Sequence, residues 1–585
     1  MIQAFLAAKH LDPALLKKSV NHLSIIAKRY GKHLSITRVN EFDLALVSDD
    51  PEPNCDLTSD GQLEFFLGKL HNNSEKWDRF LRARVSRSGI EFENDYAGSI
   101  PVFFSTRNGF IASNIEPCTF LASGSSLDDL SPENIYGFMR YSHFIWNETA
   151  WKHIFQLLPD SRYKFSTGGE LTSTENLESI RTSSVRASHS DKMVANELFE
   201  LNRHLVTRSL AHATQIVLPL SSGYDSRMIF AVLASDKALA SKTRCFTYGS
   251  AGSIEVESAK RLAKQGNIEW RHIDLPCKFL TKNYLKDICD IFGSSVHMHG
   301  MYQVEFVHEI QKKFGIAVDS LFTSGFMTGV PAGQHSGLLN IANPDDGLSE
   351  AMGRFSQSKF WNRDELKKLP LFGGRDYEDE AENKFRLAFE RMPGDIHHKA
   401  IIFDVWTRQR NFISYYPRTI EWFYPVASPH LCSEYANFFL SLNEKHLRDR
   451  RAVELMFKQH YPGFGSIASN SKGISSIGSP VESFMLLSAR ILNRLGMGCI
   501  LPKQYQLAPF EFNLRAVSNC GTDSFYPMWN NNESVREFLD LFGGTDFLRD
   551  LYERTTGGSL PAYAKTLTVQ AISSDIERLR KNPDA

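Results

Sequence analysis

The sequence predicts an α/β protein in two parts: an α+β unit with antiparallel sheets over residues 1–175, then an α/β unit with a parallel sheet and a helical C-terminal part over residues 190–585. Three observations predict it. A chain of 585 residues exceeds what one hydrophobic core supports, so two or more domains are expected. Short apolar runs broken by turn residues fill the first 175 positions. Beyond residue 215, apolar runs alternate with helix-period segments, as parallel strands joined by helical crossovers do.

In the first part, strands are expected at residues 42–47, 80–85, 102–105 and 110–112, with a helix at 132–138. Residues 172–190 are rich in Ser, Thr and charge and read as a linker. A helix at 191–212 follows. Residues 215–220 form a short apolar run, a buried strand. At 225–234, Met228, Ile229, Val232 and Leu233 recur at helical spacing. A strand is expected at 244–248. A helix over Ile254–Gln265 carries Ala259, Leu262 and Ala263 on one face and stops at Gly266, and 269–275 is the third strand. Beyond residue 280 the pattern is mostly helical, with no internal repeat.

Composition excludes several classes. The net charge is −1 and the pI is about 7.0, so no broad basic field gathers nucleic acid or an acidic membrane surface. Cys55, Cys118, Cys245, Cys277, Cys289, Cys432, Cys499 and Cys520 form no CxxC pair, which argues against a zinc ribbon or a thioredoxin-type site. A chain this long needs no disulfide staples, so reduced thiols and a cytoplasmic location are expected. The N-terminal apolar run is too short for a persuasive signal peptide. Residues 484–501 contain Arg490 and Arg494 and read as an amphipathic helix, not a membrane span. His297 and His299 would share one side of a strand, as metal ligands can, but an ordinary histidine pair is the plainer reading.

The informative stretch is Ser221-Ser222-Gly223-Tyr224-Asp225-Ser226-Arg227, which joins a buried strand to a helix. Its small residues let backbone N–H groups approach a ligand, and the helix N-terminus adds a positive dipole end. Ser221 and Ser226 can donate hydroxyls, and Asp225 is placed to hold a magnesium ion that bridges phosphates. The plain alternative is a turn with an N-cap. No Gly-Lys-Ser/Thr follows, so it is not a Walker A loop.

This stretch resembles the SGGxDS motif of the PP-loop ATP pyrophosphatases, in the form found in the asparagine-synthetase family, with Ser222 where the family has Gly. Phe246-Thr247-Tyr248-Gly249 resembles the end of the family's second strand, whose backbone binds adenine. Glu255, ahead of Ala259, matches an acidic residue of the next helix. Asn94-Asp95-Tyr96-Ala97-Gly98-Ser99-Ile100-Pro101-Val102-Phe103-Phe104 resembles the family's Arg-Asp-x-x-Gly-x-x-Pro-Leu-Tyr-Tyr hairpin, and Leu157-Leu158-Pro159-Asp160-Ser161-Arg162-Tyr163 its Leu-x-Pro-Gly segment. The resemblance covers roughly residues 40–480 and rests on the shared order of the pieces. It implies a degenerate glutaminase-like (Ntn-hydrolase-type) domain at 1–175 and an asparagine synthetase-like ATP-pyrophosphatase domain at 190–585. ATP and Mg2+ are the implied cofactors. Asp225 is the implied metal ligand, and Ser221 to Ser226, Thr247, Tyr248, Gly249 and Gly325 are the implied nucleotide contacts.

Three departures shape the expected activity. Glutamine-hydrolysing members expose Cys as residue 2, and here it is Ile2. The amine should therefore be ammonia or a group on the substrate, as in β-lactam synthetases and lasso-peptide cyclases, or should be delivered by a separate glutaminase or pathway partner. The family's Ser-Gly-Asp-Gly-x-Asp-Glu loop matches Ser324-Gly325-Phe326-Met327-Thr328-Gly329-Val330, where Phe326 and Gly329 replace its acids. The family's catalytic lysine matches Lys472, the cation of the small-residue loop at 466–480, although a solvated loop lysine is the plainer reading. Tyr424-Pro425-Val426 matches a Pro-Phe-Leu-Asp stretch and reads as packing. The expected reaction is ATP-dependent amide formation through an acyl-adenylate. The carboxylate activated belongs to a small molecule or a peptide, with no nucleic acid and no membrane span involved. The alternative is a non-catalytic synthetase-like protein that binds nucleotide or a partner. A tRNA-thiolating or lysidine-forming ligase is disfavoured by the N-terminal hairpins and the neutral charge.

Overall fold

The computed structural model describes residues 1–53, 55–57, 61–68, 79–141, 143–182, 190–249, 251–273, 282–294, 303–317, 319–334, 361 and 363–467, with isolated positions between 484 and 500 and residues 540–544. Lys472, His297, His299 and most of 484–501 lie outside the described residues.

The N-terminal strands are β1 (Ile2–Lys9), β2 (His33–Val39), β3 (Phe42–Ser48), β4 (Cys55–Leu57), β5 (Leu63–Gly68), β6 (Phe80–Ser86), β7 (Gly89–Asn94), β8 (Phe103–Ser105), β9 (Phe110–Ser113), β10 (Phe155–Gln156), β11 (Ser161–Ser166) and β12 (Leu171–Asn176). They form two layers, β2-β3-β1-β9-β8-β10 and β4-β5-β6-β7-β11-β12. The layers join where Ile2 pairs in parallel with Leu67, while the other pairings are antiparallel. The sheet is therefore mixed. Its inner faces meet through rings, Phe5 against Phe65 and Phe92 at 5.6 Å and Phe110 against Phe165 at 4.8 Å.

β1 is buried on both faces: Phe5 and Ala7 point between the layers, and Ala4, Leu6 and Ala8 point to the helices. A strand covered twice reads as a continuous apolar run, as this one does. The helices Pro13–Arg29 and Glu116–Ala122 supply that outer cover. Residues 172–176, expected in a linker, belong instead to the edge strand β12. Every residue of it is exposed, so its polar composition imitates a linker.

The second sheet is parallel throughout: β13 (Ile216–Pro219), β14 (Thr243–Tyr248), β15 (Glu269–Ile273), β16 (Leu321–Thr323) and β17 (Val426–Ala427), in the order β15-β14-β13-β16-β17. The helices Tyr224–Ser235 and Ile254–Gln265 make the first two crossovers. β16 and β17 fall in the stretch expected to be helical. Strands of three and two residues are too short to show a period.

A helical run, the π-helix Val405–Ile413 continued by Tyr415–Glu421, docks the two sheets together. Trp406 Nε1 donates to Tyr96 O at 2.9 Å and Asn411 Nδ2 to Phe144 O at 3.0 Å. Arg418 Nη2 donates to Asn114 O at 3.2 Å, and Arg79 pairs with Glu421 at 2.8 Å. Burial pulls the Arg410 and Arg418 guanidiniums down to about 10, and both remain charged at neutral pH. No helix among the described residues is long and apolar enough to cross a membrane.

Candidate functional site at the switch point of the parallel sheet

β13 runs toward β14 on one side and β16 on the other, so the strand order reverses there. Open parallel sheets bind ligands in the crevice beyond the strand ends at such a point. A cavity of about 270 Å³ opens in that position.

Its polar lip is the loop after β13. Ser226 Oγ accepts the Ser221 N–H at 2.9 Å and lies 2.9 Å from Ser221 Oγ, which accepts the Gly223 N–H at 3.1 Å. The loop is thus folded on its own hydroxyls. Gly223 is the N-cap of the helix Tyr224–Ser235 in extended conformation and brings no capping side chain of its own. The first N–H groups of a helix have no intrahelical acceptor, so this end presents donors and a positive dipole.

The loop's expected residues have separate fates. Ser221, Asp225, Ser226, Thr247, Tyr248 and Gly325 line the cavity. Ser222 is fully buried with negative φ, and its Oγ donates to Glu255 Oε2, so its side chain points away from the lip. Glu255 itself lines the cavity. Tyr224 is buried with its ring under two guanidiniums, Arg450 at 4.9 Å and Arg227 at 5.8 Å. Gly249 leaves the end of β14 and its carbonyl bonds His272 Nε2 at 2.7 Å. Burial, with Tyr416 and Glu255 nearby, raises the Tyr248 phenol, and burial pushes Tyr416 up to about 12.

Arg450 is the charged residue that sequence reasoning missed. Its Nη1 lies 3.6 Å from Asp225 Oδ1. Asp449 and Arg450 both have left-handed backbones, φ 53° and 61°, at the start of the helix Arg451–His460. Such conformations cost non-glycine residues about 1–2 kcal/mol each and concentrate at functional sites. Arg227, also buried, donates to Ser222 O and to Ile467 O at 2.8 Å. It ties the loop after β13 to Ile467.

The loop after β16 packs directly on the helix start. A Cβ on Gly325 would lie 3.2 Å from Asp225 Cβ and 3.3 Å from the Ser226 nitrogen. A Cβ on Gly329 would lie 2.8 Å from Asp225 Oδ1 and collide with Gln334. Phe326 is turned into the core. A buried polar chain holds this loop. Asn202 Nδ2 donates to Met228 O at 3.1 Å, and Asn202 Oδ1 meets His430 Nε2 at 2.7 Å. His430 Nε2 is therefore the donor. Its Nδ1 accepts from Thr328 Oγ1 at 2.6 Å, and Tyr435 OH donates to Thr328 O at 2.8 Å. Burial lowers His430 to about 3, which keeps it neutral as this chain requires.

No protein-family model matches the chain, and a search of curated proteins returns no significant match.

As for metal, no group of three or more His, Cys, Asp or Glu among the described residues is arranged to hold an ion. Asp225 and Glu255 are the carboxylates at the cavity. Magnesium is commonly held by one or two carboxylates plus substrate phosphates, and this donor set fits an ion that enters with a nucleotide.

Proposed function

We propose that the chain is a divergent asparagine synthetase-like enzyme that forms an amide by activating a carboxylate with ATP. The observation that carries the reading is the Ser221–Ser226 loop: self-folded, at the N-terminus of the helix Tyr224–Ser235, at the switch point of a parallel sheet, lining a cavity beside Asp225. Likeness of the N-terminal hairpins and of the loop order to that family adds to it.

In this reading the Ser221 and Ser226 hydroxyls and the helix N–H groups bind phosphate oxygens. Arg450 adds a guanidinium fork and orients the phosphates. Asp225, with Glu255 behind it, would hold magnesium, which supplies charge neutralisation when bound with the nucleotide. A substrate carboxylate oxygen attacks the α-phosphorus, the bond to the bridging oxygen breaks, and pyrophosphate leaves. An amine then attacks the acyl carbon and AMP leaves, giving the amide. Lys472 is assigned to charge developing on the phosphates. In the sequence it comes five positions after Ile467, which Arg227 anchors beside the loop. The amine comes from ammonia, from the substrate or from a separate glutaminase.

A second reading has one observation in its favour. The loop after β16 brings Phe326 and Gly329, with no carboxylate, to where the family has acids. A non-catalytic nucleotide-binding protein would carry such a loop. Calorimetric titration of Mg–ATP into wild type and Ser221→Ala/Ser226→Ala tests the shared premise. Binding that the double variant loses supports a phosphate loop. Wild-type protein that takes up no Mg–ATP contradicts both readings.

A further inference from the structure

We infer that the carboxylate activated here is carried on an apolar body, an aliphatic or aromatic monocarboxylic acid, and not on a dicarboxylate such as aspartate. This rests on the reading that the cavity activates carboxylates. The cavity is lined from both sides of β13. On the β14 side stand Phe246, Thr247 and Tyr248 of the strand and the Glu255 carboxylate, a ring and polar groups that suit a nucleotide base. On the β16 and β17 side the wall is Phe322, Val426, Ile413, Pro417 and Ile420.

That wall is built from β16, β17 and the helical run at 405–421. Phe322 packs on Tyr424 at 4.9 Å and on Phe246 at 6.4 Å. Phe322 N donates to Pro425 O at 2.9 Å, which locks β16 to the segment that supplies Val426. Ile413, Pro417 and Ile420 project from the helical run whose other contacts dock it on the N-terminal sheet. The volume, about 270 Å³, exceeds the ~150 Å³ of an apolar cavity that takes up benzene. A base and an apolar group can lie side by side.

Charge points the same way. Among the described residues, the charged side chains lining the cavity are Asp225 and Glu255, both acidic. Arg450 stands at the Asp225 end, and at the wall of Phe322, Val426, Ile413, Pro417 and Ile420 a second carboxylate on the substrate would meet hydrocarbon, which costs free energy. An apolar tail would instead leave water for Phe322, Ile420 and Val426. Ser324 and Gly325 stand at the head of this wall, next to Ser226, so the reacting carboxylate reaches the phosphates while its tail lies along the wall.

The test uses the full chain with Mg2+ and ATP. Aspartate, octanoate and 3-phenylpropionate are offered in parallel while pyrophosphate release is followed. The same acids are titrated calorimetrically into protein saturated with α,β-methylene ATP. The expected result is a kcat/KM for the monocarboxylates on the order of tenfold or more above aspartate. Ile420→Asp should abolish that preference while analogue binding stays. If Ile420→Asp does not fold, Ile420→Ala should weaken 3-phenylpropionate binding alone. Preference for aspartate, or an analogue complex that binds neither monocarboxylate, overturns the inference and leaves nucleotide binding standing. Absence of both analogue binding and pyrophosphate release overturns the carboxylate-activating reading itself, and the inference with it.

Discussion

Arg450 Nη1 lies 3.6 Å from Asp225 Oδ1, and the same guanidinium covers the Tyr224 ring at 4.9 Å. The contact joins the first turn of the helix after β13 to a left-handed pair of residues far along the chain. In the proposed function this cation exchanges the Asp225 carboxylate for phosphate oxygens when a nucleotide enters. Arg450→Met keeps much of the stem over Tyr224 and removes the charge. It should weaken Mg–ATP binding by about 1.5–3 kcal/mol, the range for hydrogen bonds to charged groups. Calorimetry at low and high salt checks this, and an unchanged affinity would remove Arg450 from the site.

Ser222 stands where the resembling family has glycine, and its hydroxyl is committed to buried Glu255. Ser222→Ala deprives that carboxylate of a donor and should destabilise the fold by about 1–3 kcal/mol. Denaturant unfolding reads this loss. Nucleotide affinity should change less than stability, because the Ser222 side chain points away from the cavity.

Restoring an acid at position 329 should fail by itself. The Gly329→Asp side chain meets Gln334 and comes within contact of Asp225 Oδ1. Gly329→Asp alone should lower the melting temperature. Gly329→Asp with Gln334→Ala should recover stability and tighten Mg2+ binding in the presence of the nucleotide. Equal behaviour of the single and double variants would place the obstruction elsewhere.

The loop behind Asp225 hangs on a neutral histidine. Burial holds His430 at about 3 against its ordinary 6.5. Between those values the unfolded chain takes up a proton that the folded chain refuses, so acid favours unfolding. The stability is fully present above about 6.5 and is lost as pH falls toward about 3. His143 is lowered to about 3 as well, chiefly by burial, and contributes in the same direction. In His430→Gln the slope of unfolding free energy between about pH 6 and pH 4 should shrink by up to about 1.4 kcal/mol per pH unit. Urea titrations across that range measure it.

The sequence carried the first half of the parallel sheet well. The helix at Ile254–Gln265 was legible to the residue, because its apolar period ends at Gly266. Strands expected at 215–220 and 244–248 are observed at Ile216–Pro219 and Thr243–Tyr248. β16 and β17 were hidden by their shortness, although Phe322, Thr323 and Val426 of these strands line the cavity. The loop of small residues announced Ser221, Asp225 and Ser226. It did not announce Arg450, whose position depends on two left-handed residues and on helix packing, neither of which has a local pattern. Nor did it show that Ser222 would turn inward. That follows from Glu255, which comes from the next crossover helix.

The central claim is carboxylate-dependent cleavage of ATP to AMP and pyrophosphate at the Ser221–Ser226 loop. The most direct measurement is pyrophosphate release with Mg2+ and ATP, comparing wild type with Asp225→Ala over a panel of carboxylates with and without ammonia. The account predicts release that requires both a particular carboxylate and Asp225. Release by Asp225→Ala at the wild-type rate, or no release from folded wild-type protein with any carboxylate, would contradict it.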